Sequence, residues 1–103
     1  IIYLILTTMK LYPYTYQGEL TSQKALEVKE SLATLVASGT THIQIDLLGV
    51  TEADVVGVNA LAITYKLVNE HDGSMTVLLK KDSQLAKMLH LTKFSQVLSL
   101  HYS

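Results

Sequence analysis

The stretch LLGVTEADVVGVNAL, from Leu47 to Leu61, joins the end of a predicted strand to the start of a long apolar helix. Turns between a buried strand and a helix are where α/β proteins usually place their functional groups. Asp54 is suited to cap the helix, and Gly57 allows a neighbouring segment of backbone to approach closely. The turn contains no serine, cysteine, lysine or histidine. A catalytic constellation is therefore not predicted at this junction, although its position in the chain favours a functional role.

Helix and strand patterns alternate on both sides of this stretch. Apolar residues recur at helical spacing after Thr21 and again after Asp54, and a shorter helix is predicted at 82–91. Gly39 and Gly73 follow the first two helices, at positions where glycine commonly ends a helix. Strand patterns occupy THIQIDLLG at 41–49, SMTVLLKK at 74–81 and QVLSLHY at 96–102. The candidate N-cap of the first helix is Thr21 or Ser22. The candidate N-cap of the third helix is Asp82 or Ser83.

A β-hairpin is predicted before the first helix. Its first strand is IIYLIL at 1–6, and Tyr12, Tyr14 and Tyr16 alternate with other residues in its second strand, with a turn at 8–10. Because Pro13 cannot donate a backbone hydrogen bond, this second strand should lie at a sheet edge or carry a bulge. The tyrosines are interpreted as a packed sheet face, with an exposed recognition strip as the alternative.

These elements predict an α/β sandwich in a single domain spanning 1–103, with helices packed on a mixed sheet of four to five strands. The composition, 49% hydrophobic and 17% charged, is that of a compact globular protein. IIYLIL is much shorter than the roughly 20 apolar residues that a membrane span requires, and no signal-peptide cleavage pattern follows it. We therefore expect a cytoplasmic protein without direct membrane insertion.

Charge and cysteine content exclude several classes of function. All eight basic residues are lysines, against nine acidic residues, for a net charge of −1. A nucleic-acid partner is not expected, because duplex binders need a basic field and commonly use arginine for bidentate contacts. The chain has no cysteine, which excludes disulfides, zinc fingers and thiol catalysis.

The order of elements and the residues that join them resemble the STAS domain, the fold of bacterial anti-sigma factor antagonists that is also found at the ends of sulfate transporters. The resemblance covers nearly the whole chain. It rests on GEL at 18–20 before the first helix, IDLLGVT at 45–51, the D-x-x-G motif from Asp54 to Gly57, and MLHLTKF at 88–94. It implies a STAS-like sandwich and a role in binding other proteins.

In the regulatory members of this family the D-x-x-G turn reads Asp-Ser-Ser-Gly. The second serine is phosphorylated by a partner that is both a kinase and an anti-sigma factor, and phosphorylation breaks the complex. A phosphate adds close to two negative charges to the interface, at a large cost in desolvation and repulsion. Carried over by position, this phosphoacceptor serine is replaced by Val56. The resemblance therefore implies a protein that is not switched by serine phosphorylation at the usual position.

The two valines of the turn allow two interpretations. In the first, the turn is an apolar docking surface for a protein partner. In the second, Val56 belongs to the core in line with Ala60, Ile63 and Leu67, where a buried valine stabilises the fold by about 2 kcal/mol. The predicted partner-binding residues are Thr51, Asp54, Val55, Val56, Gly57 and Asn59.

Other candidate sites are less well supported by the sequence. Asp46 and Asp54 could form a small metal or nucleotide site, but no glycine-rich phosphate cradle or P-loop lysine accompanies them. Thr51, in the loop, and Thr64, in the helix, are the nearest alternative phosphoacceptors. The histidines at 42, 71, 90 and 101 show no short paired spacing, so neither a metal site nor a cofactor is expected.

The function predicted from the sequence is a non-enzymatic protein-protein interaction module, an anti-sigma factor antagonist-like regulator in signalling and transcription regulation. The partners that the resemblance implies are an anti-sigma factor that is also a serine kinase, or another STAS-domain protein. Pairing with a second copy of the chain is left open. The alternatives are a nucleotide- or metal-binding domain that uses Asp46 and Asp54, or a STAS subunit of a transport system that binds a transport ATPase.

Overall fold

The structure is a computed structural model, and it describes residues 11–103. Strands and helices alternate in this part of the chain, as the sequence predicts. The first strand of the predicted hairpin, at 1–6, and its turn lie outside the described residues. The elements are β1 (Tyr12–Leu20), α1 (Ser22–Ala37), β2 (His42–Ala53), α2 (Val55–Glu70), β3 (Ser74–Leu79), α3 (Gln84–Leu91), a short 3-10 helix (Phe94–Gln96) and β4 (Ser99–Tyr102).

The four described strands form one sheet in the order β1-β2-β3-β4, and each neighbouring pair is parallel. Parallel crossovers are right-handed, and every crossover here leads to the next strand in the same direction. The helices therefore lie on one face of the sheet. The prediction of an α/β fold with helices packed on a sheet is confirmed. The sheet was predicted to be mixed because of a strand at 1–6, and this prediction lies outside the described residues.

The hydrophobic core lies between this sheet face and the helices. Alternate residues of the two central strands point into it, as the period of two requires. From α2, Val58, Leu61 and Val68 are completely buried, and Tyr65 packs against the same cluster. The buried core residues of the two central strands are Ile43, Ile45, Leu47, Val50, Ala53, Met75, Val77 and Leu79.

The strand β1 lies at one edge of the described sheet, in agreement with the position of Pro13. Its pairing with β2 shifts register between Thr15 and Gln17, and again between Gly18 and Glu19. These irregularities let the strand continue to Leu20, whereas the sequence pattern places its end near Gln17. Tyr14 and Tyr16 pack against the core and Tyr12 is exposed.

The helix ends agree with most of the predicted caps. Ser83 accepts a hydrogen bond from the backbone of Ala86, and Gly39 has a φ of +99°, as expected after α1. Thr21 occupies the N-cap position of α1 but makes no capping hydrogen bond with its side chain. The last strand begins at Ser99, three residues later than predicted, because residues 94–96 form the 3-10 helix. Between residues 11 and 103, no helix is long and apolar enough to cross a membrane.

Candidate protein-docking site

The carboxylate of Asp54 connects the N-termini of two helices. Asp54 is the N-cap of α2, with an extended backbone, and its Oδ1 accepts a hydrogen bond of 3.0 Å from the N–H of Gly57. Its Oδ2 accepts a second one, of 3.1 Å, from the N–H of Ser22, the first residue of α1. Free N–H groups at helix N-termini favour a negative charge. One side chain thus caps α2 and fixes the start of α1 beside it.

Gly57 is buried at the point where the first turn of α2 meets the end of β1. A Cβ built at this position would collide with the carbonyl oxygen of Leu20 and lie 3.0 Å from Cγ of the same residue. Leu20 is itself completely buried. The glycine therefore allows α2 to start directly against the backbone of β1, and this contact holds the turn in place.

The two valines of the turn have different surroundings. The side chain of Val55 is 55% exposed, whereas Val56 is half-buried and packs against the hydrophobic core. Consecutive residues of a helix point in directions about 100° apart, so one faces solvent while the next turns toward the protein. Val55 thus forms an apolar knob at the tip of α2. Val56, to which the sequence resemblance assigns the phosphoacceptor position, lies beside this knob.

An exposed face continues from this knob along α2. Val55, Asn59 and Ile63 are each four residues apart, which places them on the same side of the helix, and all three are exposed. The sequence interpretation grouped Ile63 with the packed row of Val56, but the structure shows that Ile63 is 51% exposed. Its spacing of four from Asn59 was the signal for this placement. Thr51, near the end of β2, is exposed next to the turn.

Asp46 and Asp54 do not form a shared site. Asp46 lies in the middle of β2, and its Oδ1 accepts a hydrogen bond of 3.0 Å from the N–H of Leu48. Asp54 follows the end of the same strand, so about 26 Å of extended chain separates the two residues. Each carboxylate is engaged with a different part of the backbone. The geometry gives no support to a joint metal or nucleotide site.

The histidines lie in separate places. His42 is hydrogen-bonded through Nδ1 to the hydroxyl of Ser74 at 2.9 Å, and His71 contacts the carbonyl oxygen of Leu67 at the same distance. Among residues 11–103, no group of three or more histidine, aspartate or glutamate side chains is arranged to hold a metal ion.

The two alternative phosphoacceptors differ in accessibility. Thr64 is 1% exposed and donates its hydroxyl hydrogen to the carbonyl oxygen of Ala60 at 2.8 Å. A kinase cannot reach this hydroxyl in the folded protein. Thr51 is exposed on the surface beside the turn before α2. Of these two hydroxyls, only that of Thr51 is open to modification.

Comparison with known proteins agrees with this geometry. The family model described as "Mlab, STAS domain" matches residues 15–100, which is most of the chain. Among solved structures, the chain is similar to the anti-sigma factor antagonist SpoIIAA in its unphosphorylated form, with 17% sequence identity and a TM-score of 0.67. That match covers 86% of this chain and 76% of the other, and at this identity it concerns the fold. No curated protein sequence matches the chain significantly.

Proposed function

The chain belongs to the STAS domain family, and from this premise we propose that it is an anti-sigma factor antagonist-like regulator that docks a partner protein through the turn before α2. The family and the fold point to a non-enzymatic regulatory protein. The proposed docking surface consists of the exposed residues Thr51, Val55 and Asn59, supported from below by Asp54, Val56 and Gly57.

The exposure of Val55 is the observation that carries this proposal. A valine that is 55% exposed gains nothing comparable to core burial in the free protein, but its methyl groups can enter a pocket of a partner. Asp54 and Gly57 hold the backbone of the turn in one conformation before any partner arrives. A preorganised surface loses less conformational entropy on binding, which favours affinity.

We further propose that this surface is not switched by phosphorylation at position 56. Val56 has no hydroxyl, and its side chain contributes to the core instead. Partner release would then depend on the concentration of the partner and on competition from other proteins that bind it, and not on a phosphate added at the turn. The proposed partners are an anti-sigma factor that is also a serine kinase, or another STAS-domain protein. The proposed setting is cytoplasmic signalling and transcription regulation.

Replacing Val55 by aspartate should lower the affinity for the partner by at least about tenfold, because a charge would have to be desolvated in an apolar contact. Val97→Asp is a matched control, since Val97 is 53% exposed on another part of the surface. Calorimetric titration with the anti-sigma factor kinase or STAS-domain protein encoded nearest to this gene measures both affinities. Because both valines are exposed, circular dichroism and melting temperature should change little in either variant.

Equal affinities of the wild type and the Val55→Asp variant, with Val97→Asp also unchanged, would show that the partner docks elsewhere. A loss of affinity in the Val97→Asp variant alone would place the interface near β4. Val55→Asp is a cleaner probe than a substitution of Val56, because Val56 is half-buried and its replacement by a charge also disturbs the core.

A further inference from the structure

The charges of the chain are distributed unevenly along the sequence. Residues 80–103 contain four lysines against one acidic residue, Asp82. Residues 1–79 contain four lysines against eight acidic residues. The basic segment forms α3, the 3-10 helix and β4, which together make up one side of the domain. A protein with a net charge of −1 thus carries a locally basic surface on the side of β4.

An open groove of about 630 Å³ lies between α3 and β4 on this basic side. Tyr102 pairs in register with the buried Leu79, so its ring is on the helix-covered face of the sheet, yet it is 50% exposed. It forms one wall of the groove. The groove therefore combines an apolar surface with the ammonium groups of two lysines. Its lining residues are Lys81, Ala86, Lys87, His90 and Tyr102.

The groove lies beside β4, the edge strand of the described sheet. β4 pairs with β3 on one side, and in the described part of the chain no strand lies on its other side. The outer backbone groups of such a strand are free to pair with an added strand. Lys81 also lines a neighbouring open cavity, together with Lys80 and Asp82, at the carboxyl ends of the central strands.

We propose that this groove binds an acidic, extended segment of a partner protein, which adds a strand to the outer side of β4. Carboxylates of the segment pair with Lys81 and Lys87, and an apolar side chain packs against Tyr102 and Ala86. Backbone hydrogen bonds to β4 supply affinity that does not depend on the segment's sequence. This site uses none of the residues of the docking turn, and it is independent of the function proposed for that turn.

The chemistry of the groove favours an acidic peptide over other anions. The strand edge recognises an extended polypeptide backbone, which neither a lipid headgroup nor a nucleic acid provides. The cations here are lysines, with no arginine, whereas nucleic-acid binding commonly relies on arginine forks. Asp82 lines the neighbouring cavity and not the groove, so Lys81 and Lys87 are the charged groups that face the acidic side chains of the segment.

Fluorescence anisotropy with a short labelled peptide of alternating glutamate and valine, with one central phenylalanine, tests the proposal on the whole chain. We expect saturable binding that weakens as salt is added, because the contacts are partly electrostatic. The double variant Lys81→Glu, Lys87→Glu should lower the affinity by at least about tenfold. The matched double variant Lys29→Glu, Lys66→Glu changes the net charge equally on α1 and α2, and should change the affinity less than about twofold.

Two further measurements test whether the peptide backbone pairs with β4. Methylating alternate backbone nitrogens of the peptide should abolish binding, and amide hydrogen exchange in β4 should slow when the unmethylated peptide is bound. The Val55→Asp variant should bind the peptide as the wild type does. Absence of saturable binding at millimolar peptide, equal losses in the two double variants, or unchanged binding of the methylated peptide would each overturn the proposal. Binding to vesicles that contain phosphatidylglycerol, without binding to the peptide, would also overturn it and assign the surface to lipid.

Discussion

Replacing Gly57 by alanine should lower the free energy of unfolding by about 3 kcal/mol and the melting temperature by about 15 °C. In a solvent-exposed helix the same change would stabilise the protein, because alanine has a higher helix propensity than glycine. Here the added Cβ collides with the carbonyl oxygen of Leu20, which is backbone and belongs to a completely buried residue. Either the first turn of α2 or the end of β1 must move.

The displacement should also weaken partner binding, since Val55 lies two residues before the substituted glycine. Gly39→Ala serves as the control, because an added Cβ there meets nothing within 4 Å and the cost is limited to the positive φ of 99°. That cost is about 1 kcal/mol. Chemical denaturation of the three proteins gives the comparison. A Gly57→Ala variant as stable as the wild type would mean that α2 does not start against β1 in the way described.

Replacing Asp54 by alanine should lower the free energy of unfolding by about 2 kcal/mol. The substitution removes the N-cap of α2, which is typically worth about 1 kcal/mol, and it also removes the hydrogen-bond acceptor of the Ser22 N–H. Two helix N-termini lose their partner at once. Partner affinity should fall with stability, because the turn that presents Val55 is no longer fixed.

Ser83→Ala gives the matched control for this prediction. Ser83 caps only α3, by accepting a hydrogen bond from Ala86, so its loss should cost about 1 kcal/mol. Asp54→Asn keeps one acceptor oxygen, so its loss of unfolding free energy should lie between those of Asp54→Ala and Ser83→Ala. Thermal or denaturant unfolding measures these losses. If Asp54→Ala lowers the free energy of unfolding no more than Ser83→Ala does, the hydrogen bond between Asp54 and the Ser22 N–H contributes nothing measurable to stability.

Local sequence patterns were sufficient for much of the fold. Helical and strand periodicity indicated the order of elements, and the caps at Asp54 and Ser83 and the glycine at 39 follow from local hydrogen-bonding and conformational preferences. Pro13 predicted an edge position or a bulge, because proline cannot donate to a ladder, and β1 lies at an edge of the described sheet with two shifts in its register. In each case the deciding interaction spans only a few residues, so the sequence near the position contains the necessary information.

Interactions between residues far apart in the sequence could not be predicted from local patterns. The bond from Ser22 to Asp54 joins residues 32 positions apart, and it replaces the side-chain cap that Thr21 or Ser22 was expected to supply. The contrast between Val55 and Val56 depends on how α2 sits against the rest of the domain, which propensity does not determine. Ile63 was assigned to a packed row for the same reason, since an apolar side chain can lie on an exposed face.

The most direct test of recognition without a phosphate switch is incubation with the anti-sigma factor kinase encoded nearest to this gene and ATP, followed by intact-mass measurement and titration with the partner. We expect the wild type to remain unmodified and its partner affinity to be unchanged, because position 56 has no hydroxyl. The Val56→Ser variant should gain one phosphate and lose affinity. A stoichiometric phosphate on the wild type at Thr51, accompanied by release of the partner, would contradict this account of the turn.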